Sequence, residues 1–408
     1  MSTSPSAAPE EQTVPWPRFA GLFLRIGLLG FGGPQAHIAM LRNEIVEIRQ
    51  WVDPERFEEG LGLCEALPGP ASSQMAIYLG WLRRGWIGGL VSGSCFLLPG
   101  MVIVLLLSEL WRNGQALPSF TTALQTIQPV VAAIIWAFAW KLIRRCTERS
   151  QILMAALVML GVLLNTLGDL PLPAGLLLLL AGLAQLIIAP VDRSKGAALL
   201  LPLPLGLTAG VGSTPTGLMT GLMTGLMTGL FSVFFKTGLL VFGGGLVIIP
   251  LLQQQVVELG WLSPGEFLDG VAIGQISPGP VVLTSTFVGY QAGWDTGGLG
   301  AGLAGAAAAT IGIFSPSFAF ILLATPLLQR LRRQPQVRTF LDGVLAGVPG
   351  AVAGAAVSIS ATALKAGLPW VQLPLFLVSL WLSVSGRMKP LPLIAIALMI
   401  GVLIEALV

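Results

Sequence analysis

Charge is what this 408-residue chain has least of. Asp, Glu, Lys and Arg together make up 10% of it, against about 25% in a soluble domain. Hydrophobic residues make up 54% and the mean hydropathy is +0.83. Such a balance excludes an ordinary soluble domain and predicts an all-α polytopic membrane protein whose surroundings are lipid. Histidine is nearly absent: with His37 alone, bis-histidine haem ligation within one chain is excluded. The three cysteines, Cys64, Cys95 and Cys146, are far apart and lack metal-ligand spacing, which argues against a disulfide framework and a zinc site. The net charge of +3 comes from short basic clusters between apolar runs. It reads as a topology signal, with no nucleic-acid partner implied. The polar stretch Met1 to Pro17 lacks the basic region and short apolar core of a cleaved signal.

What the chain does have is apolar runs and breaks in them. Residues 1–15 read as a disordered tail rich in Ser, Pro and Ala. Apolar runs follow near 16–40, 57–82, 86–111, 120–143, 152–169 and 172–190. The later ones are long enough to cross about 30 Å of hydrocarbon. The run near 57–82 is interrupted by Pro68-Gly69-Pro70. Two prolines that remove backbone donors, with a glycine between them, cannot lie inside a continuous helix.

The order then recurs. Arg25, Gly27, Phe31, Gly32 and Gly33 match Lys236, Gly238, Phe242, Gly243 and Gly244 at one constant spacing. Trp51, Pro54, Phe57, Gly60, Pro68, Gly69 and Pro70 match Trp261, Pro264, Phe267, Gly270, Pro278, Gly279 and Pro280 in the same way. The chain is therefore an internal duplication, with a first membrane repeat at 16–190, a linker at 191–228 and a second repeat at 229–408. The linker carries Thr-Gly-Leu-Met three times in tandem from Thr216 to Met227. A period of four suits a helix extension. A methionine-lined path for a soft metal is the sharper reading, and thioether ligands demand a geometry that a bare repeat does not specify.

Basic residues mark the cytoplasmic side of membrane spans. In the first half they lie at Arg42, Arg49 and Arg56, at Arg83 and Arg84, and from Lys141 to Arg149. The matching places of the second half are nearly bare: residues 251–297 hold no Lys or Arg. Its basic clusters fall at Arg330, Arg332, Arg333 and Arg338, and at Arg387 and Lys389. A bias that flips between two copies predicts inverted-topology repeats. Arg42 and Arg83 both read as cytoplasmic, so each Pro-Gly-Pro segment is expected to be a broken re-entrant hairpin. Each half then has about five spans plus one hairpin.

The breaks carry the candidate chemistry. A helix that restarts at membrane depth exposes N-terminal amides with partial positive charge, which suits an anion. Ser72, Ser73 and Gln74 follow the first break; Thr284, Ser285 and Thr286 follow the second, and Ser277 precedes it. Tips that merely stabilise the fold are the plainer alternative. Arg25 and Lys236 lie within apolar runs at matching positions. Intramembrane cations usually face a cavity, and such a pair suits a dianion, although snorkelling to an interface would also explain it. Glu65 stands just before the first break and Gln275 just before the second, a polar or protonatable gate or a cap. His37 follows the first glycine break, as a polar contact or a proton relay. No metal site and no cofactor are expected.

Phe31-Gly32-Gly33-Pro34-Gln35-Ala36-His37, Leu67-Pro68-Gly69-Pro70, Phe242-Gly243-Gly244-Gly245 and Ser277-Pro278-Gly279-Pro280 together resemble the chromate ion transporter family in its long, two-domain form. The resemblance covers residues 17 to 408. It implies a multi-pass bacterial inner-membrane protein that exports chromate, with sulfate as an analogue, and it is compatible with a homodimer. The substrate-binding set is then Arg25, Gly32, Gly33, Pro34, Pro68, Gly69, Pro70, Ser72, Lys236, Gly243, Gly244, Ser277, Pro278, Gly279, Pro280 and Thr284. Gly245 stands where the first repeat has proline, and the tandem is foreign to the family. Uptake of sulfate or another oxyanion is the nearest alternative. A membrane-bound redox enzyme is the alternative from another class, and it lacks a dinucleotide fingerprint, a cysteine cluster and a histidine pair.

Overall fold

The computed structural model describes residues 14–31, 33–168, 174–188, 218–241, 245–332, 335–365 and 369–407. Among them all regular structure is helical, as an apolar chain in lipid requires, since a helix satisfies its own backbone. The first half contains α1 (Trp16–Leu29), α2 (Pro34–Arg42, continued by a π-helical turn Asn43–Ile48), α3 (Pro54–Ala66), α4 (Ala71–Gly114), α5 (Pro118–Ile143), α6 (Arg149–Gly168) and α7 (Ala174–Ile188). The second contains α8 (Leu218–Gly238), α9 (Ile248–Glu258), α10 (Pro264–Ile276), α11 (Thr284–Arg332), α12 (Pro335–Ala363), α13 (Pro369–Val384) and α14 (Pro390–Leu407). The expected tail lies outside the described residues except for Val14 and Pro15, as does the linker from 191 to 217. The described part of the tandem is helical and forms the start of α8.

Segments Ala71–Gly114, Phe120–Ile143, Val281–Leu323 and Thr339–Ala363 are long and apolar enough to cross a membrane. Shorter apolar helices lie at Arg149–Asn165, Ala174–Ile188, Pro369–Val384 and Pro390–Ala406.

Two of the long helices reverse direction within themselves. In α4 the turn is at Arg84 (φ −141°, ψ 25°) and Gly85 (φ 63°, ψ −157°). In α11 it is at Gly297 (φ −165°, ψ 24°) and Gly298 (φ 68°, ψ −154°). The left-handed second residue is glycine both times, where a Cβ would be strained. Beyond each turn the short arm lies back along the long arm. Ser92 Oγ donates to the Ala76 carbonyl at 2.8 Å, and Thr286 and Thr310 share a hydroxyl hydrogen bond of 2.8 Å. The long arm of α4, residues 86–114, spans about 43 Å at 1.5 Å per residue.

Each short arm also lies alongside the helix before its break. Gly60 of α3 sits against the Tyr78 ring, Gly270 of α10 against Phe287, and Gly274 against Thr284. The two long arms run antiparallel to each other, with Gly93 against Phe318 and Gly89 against Leu322. α1 packs along α4 and α8 along α11. Gly27 touches the Phe96 backbone, and Gly238 touches the Ile313 backbone.

The outer bundle is exchanged between the halves. α12 packs against α6 and α7, while α5 packs against α13 and α14. Gly350 of α12 meets the Ala155 backbone of α6, and Gly401 of α14 meets Ala123 of α5. Small residues bring helix backbones together where lipid offers no hydrophobic drive.

Candidate functional site

The breaks are held by the opposite half. The Gly69 amide donates to the Val241 carbonyl at 2.6 Å, and the Gly279 amide donates to the Gly30 carbonyl at 3.0 Å. Gly30 and Val241 follow the matching helices α1 and α8, so the exchange is reciprocal. Both break glycines have positive φ, +124° at Gly69 and +95° at Gly279, which L side chains rarely adopt. Val241 is bonded at the first break, and Gly245 lies beside Val281 just after the second. Four residue steps reach at most about 14 Å, so the two breaks lie close to each other.

Each break carries its own buried side chains. At the first, Gln74 Nε2 donates to the Pro68 carbonyl at 2.5 Å, and Ser317 Oγ lies 3.5 Å from the same nitrogen. At the second, His37 Nε2 lies 2.7 Å from the Gly30 carbonyl that also takes the Gly279 amide. A carbonyl only accepts, so in the neutral ring Nε2 carries the proton. The ring stands edge-on to Phe96 at 5.2 Å. Gly100 packs against the Pro278 backbone.

The helices that start after the breaks are bare at their N-termini. α4 begins after Pro70 and the turn Val281–Leu283 begins after Pro280, neither with a side-chain cap. By contrast α10 begins at Ser263 with a full capping box to Glu266. The first amides of a helix have no partner in the helix itself, so a bare buried start is a place for an anion. Three buried donor groups there are also unpartnered: Ser72 Oγ, Ser285 Oγ and Gln275 Nε2. His37 Nδ1 and Gln74 Oε1 share that state. Orphaned buried polar atoms are rare and call for a water or a ligand.

The expected residues separate into three groups. Pro68, Gly69, Pro70, Ser72, His37, Gln275, Ser277, Pro278, Gly279, Pro280 and Thr284 lie at the breaks, all buried or partly so. Ser277 and Thr284 bond within their own turns, to the carbonyls of Gly274 and Val281. Gly33 and Pro34 are half-buried at the start of α2. Arg25, Lys236 and Glu65 are exposed instead, and Arg25 lies 3.8 Å from Glu44. Gly32, Gly243 and Gly244 lie outside the described residues. Sequence reasoning missed Ser317. Its signal is the pair Pro99-Gly100 and Pro316-Ser317, which stand at equivalent places in the long arms.

A family model described as chromate transporter matches residues 18–186 and 228–402, one segment in each half. The chain belongs to the chromate transporter family. A probable chromate transport protein of Synechococcus elongatus is 34% identical over 393 residues, 93% of each chain. A chromate transport protein of Cupriavidus metallidurans is 32% identical, covering 93% of this chain and 90% of its own. One from Pseudomonas aeruginosa is 32% identical, over 85% and 81%. No solved structure matches. The family segments hold both breaks and leave out most of the linker.

Proposed function

We propose that the protein is a secondary transporter of chromate, moving this tetrahedral dianion outward across the bacterial inner membrane. The observation that carries this reading is the pair of uncapped, buried helix starts after Pro70 and Pro280, with Ser72, Ser285 and Gln275 as unpartnered donors. The names of the relatives supply the substrate. With a negative interior, expelling a dianion gains about 2 × 2.3 kcal/mol per 100 mV, so potential alone can drive export. Donors of this kind read charge and shape, so sulfate should compete. Sulfate uptake uses the same site in the reverse direction.

The two halves act, in this reading, as inverted repeats whose Pro-Gly-Pro hairpins enter from opposite faces. The antiparallel long arms and the flipped basic clusters support that. Arg25 and Lys236, exposed at matching positions, attract the dianion towards the breaks. Glu65, His37 and Gln275 serve as gate residues, His37 by adding charge beside the second break when Nδ1 is protonated.

The test is chromate flux into and out of proteoliposomes under an imposed potential. Ser72→Ala with Ser285→Ala should weaken half-saturation several-fold, and excess sulfate should compete. Arg25→Gln and Lys236→Gln should slow entry and flatten its salt dependence. No flux from folded parent protein would refute the transporter reading. Unchanged flux in the double serine variant would move the site away from the breaks.

A further inference from the structure

Asp269 is a buried carboxylate that the anion site does not use. It lies on α10 with 5% of its surface exposed. Trp111 Nε1 of α4 donates to Oδ2 at 3.0 Å, and Gln128 Nε2 of α5 donates to Oδ1 at 3.0 Å. Both partners are neutral, and Asp269 is in no ion pair among the described residues. Burying a carboxylate without a cation is expensive.

Among the described residues, most charged groups on the surrounding helices have other partners. Arg112 binds Asp295 and Gln291 of α11, and Glu109 accepts from Tyr290. Glu266, one turn from Asp269, caps the Ser263 amide. Glu258 of α9 accepts from Gln254, and Glu405 of α14 accepts from Thr122. Asp342 of α12 is exposed.

Gln128 supplies the second observation. It is 6% exposed and its Oε1 has no partner. A protonated Asp269 would turn from acceptor to donor and need an acceptor. A half-turn of the Gln128 amide presents Oε1 to it, exchanging the 3.0 Å bond donated by Nε2 for one donated by the acid and giving up the 3.5 Å contact of Nε2 with Gly265. The site can therefore hold either protonation state, with the amide reporting which is present.

We infer that Asp269 is a proton-binding site, read out by the Gln128 amide and joining α4, α5 and α10 beside the second hairpin. The step is the transfer of one proton from water to the carboxylate and back. Coupling of this proton to the anion rests on the transport reading above; binding of the proton does not.

Two measurements separate them. Infrared difference spectra of purified protein, taken across a pH titration, should show a carboxylic-acid C=O band that Asp269→Asn removes. Gln128→Leu should keep the band and shift its frequency, because the acid has lost its acceptor. That variant carries the test if Asp269→Asn does not fold. A missing band, or one that survives Asp269→Asn or is unmoved by Gln128→Leu, would overturn the proposal. In proteoliposomes, a lumenal pH dye should report proton movement with chromate flux in the parent, lost in Asp269→Asn while potential-driven chromate flux persists. Protein that moves no chromate but shows the band would fail the transport reading and keep the proton site.

Discussion

In α10 every residue from Phe267 to Gly274 is buried, whereas its counterpart α3 exposes Glu55, Arg56, Glu58, Glu59 and Glu65. Both arms lead to the same Pro-Gly-Pro break and the same reciprocal main-chain bond. Their surroundings differ. α10 is wedged against α5, α12 and α14, while α3 packs chiefly on α4. At the far end of the second short arm, Asp295 is clamped by Arg112, which stacks 5.2 Å from Trp294. The corresponding end of the first carries Arg83 and Arg84, with Arg84 laid over Trp16 at 4.2 Å. One backbone device is thus an enclosed wall in one half and an exposed arm in the other.

The largest expected effect separates the two break glycines. A Cβ at Gly69 would overlap Ser317 Oγ and Gln74 Nε2, whereas at Gly279 the nearest atom is Leu283 Cδ1 at 3.0 Å. Gly69→Ala should cost about 2–6 kcal/mol through strain and overpacking together. Gly279→Ala should cost about 1–3 kcal/mol from strain alone. Thermal unfolding in detergent measures both, and equal losses would mean that the two tips are equally crowded.

Side accessibility comes next. Cysteine introduced at Glu65 should react with a membrane-impermeant maleimide from the cytoplasmic face, and cysteine at Gln275 should not. Labelling of both from one face would refute the inverted reading of the hairpins. Amide exchange should be faster across Pro54–Ala66 than across Pro264–Ile276, since local opening follows burial. Matching protection would erase the contrast between arm and wall. The smallest effect is the Arg112–Asp295 pair. Their side chains are 29% and 59% exposed, so a double-mutant cycle should give a coupling below about 1 kcal/mol. A larger value would make it a principal latch.

The helical class, the duplication and the breaks were legible because composition and proline chemistry are local. The closeness of Pro68–Pro70 to Pro278–Pro280 rests on bonds between distant segments, Gly69 with Val241 and Gly279 with Gly30. The places of Arg25 and Lys236 were not legible either. A cation in an apolar run tells that it avoids lipid, but the face it takes depends on which side of α1 or α8 the long arms occupy. Gly27 against Phe96 and Gly238 against Ile313 decide that, and these are contacts between distant segments. Ser317 was hidden for the same reason, because its partner Gln74 comes from the other half. Asp269 stood in a polar stretch with Glu266, and only packing distinguishes the buried acid from the capping one.

The links from Gly69 to Val241 and from Gly279 to Gly30 are made by main chain alone. Only a proline at the donor position would delete either bond outright. Around such a joint, side chains facing the breaks are free to drift through many generations without unfastening the two halves.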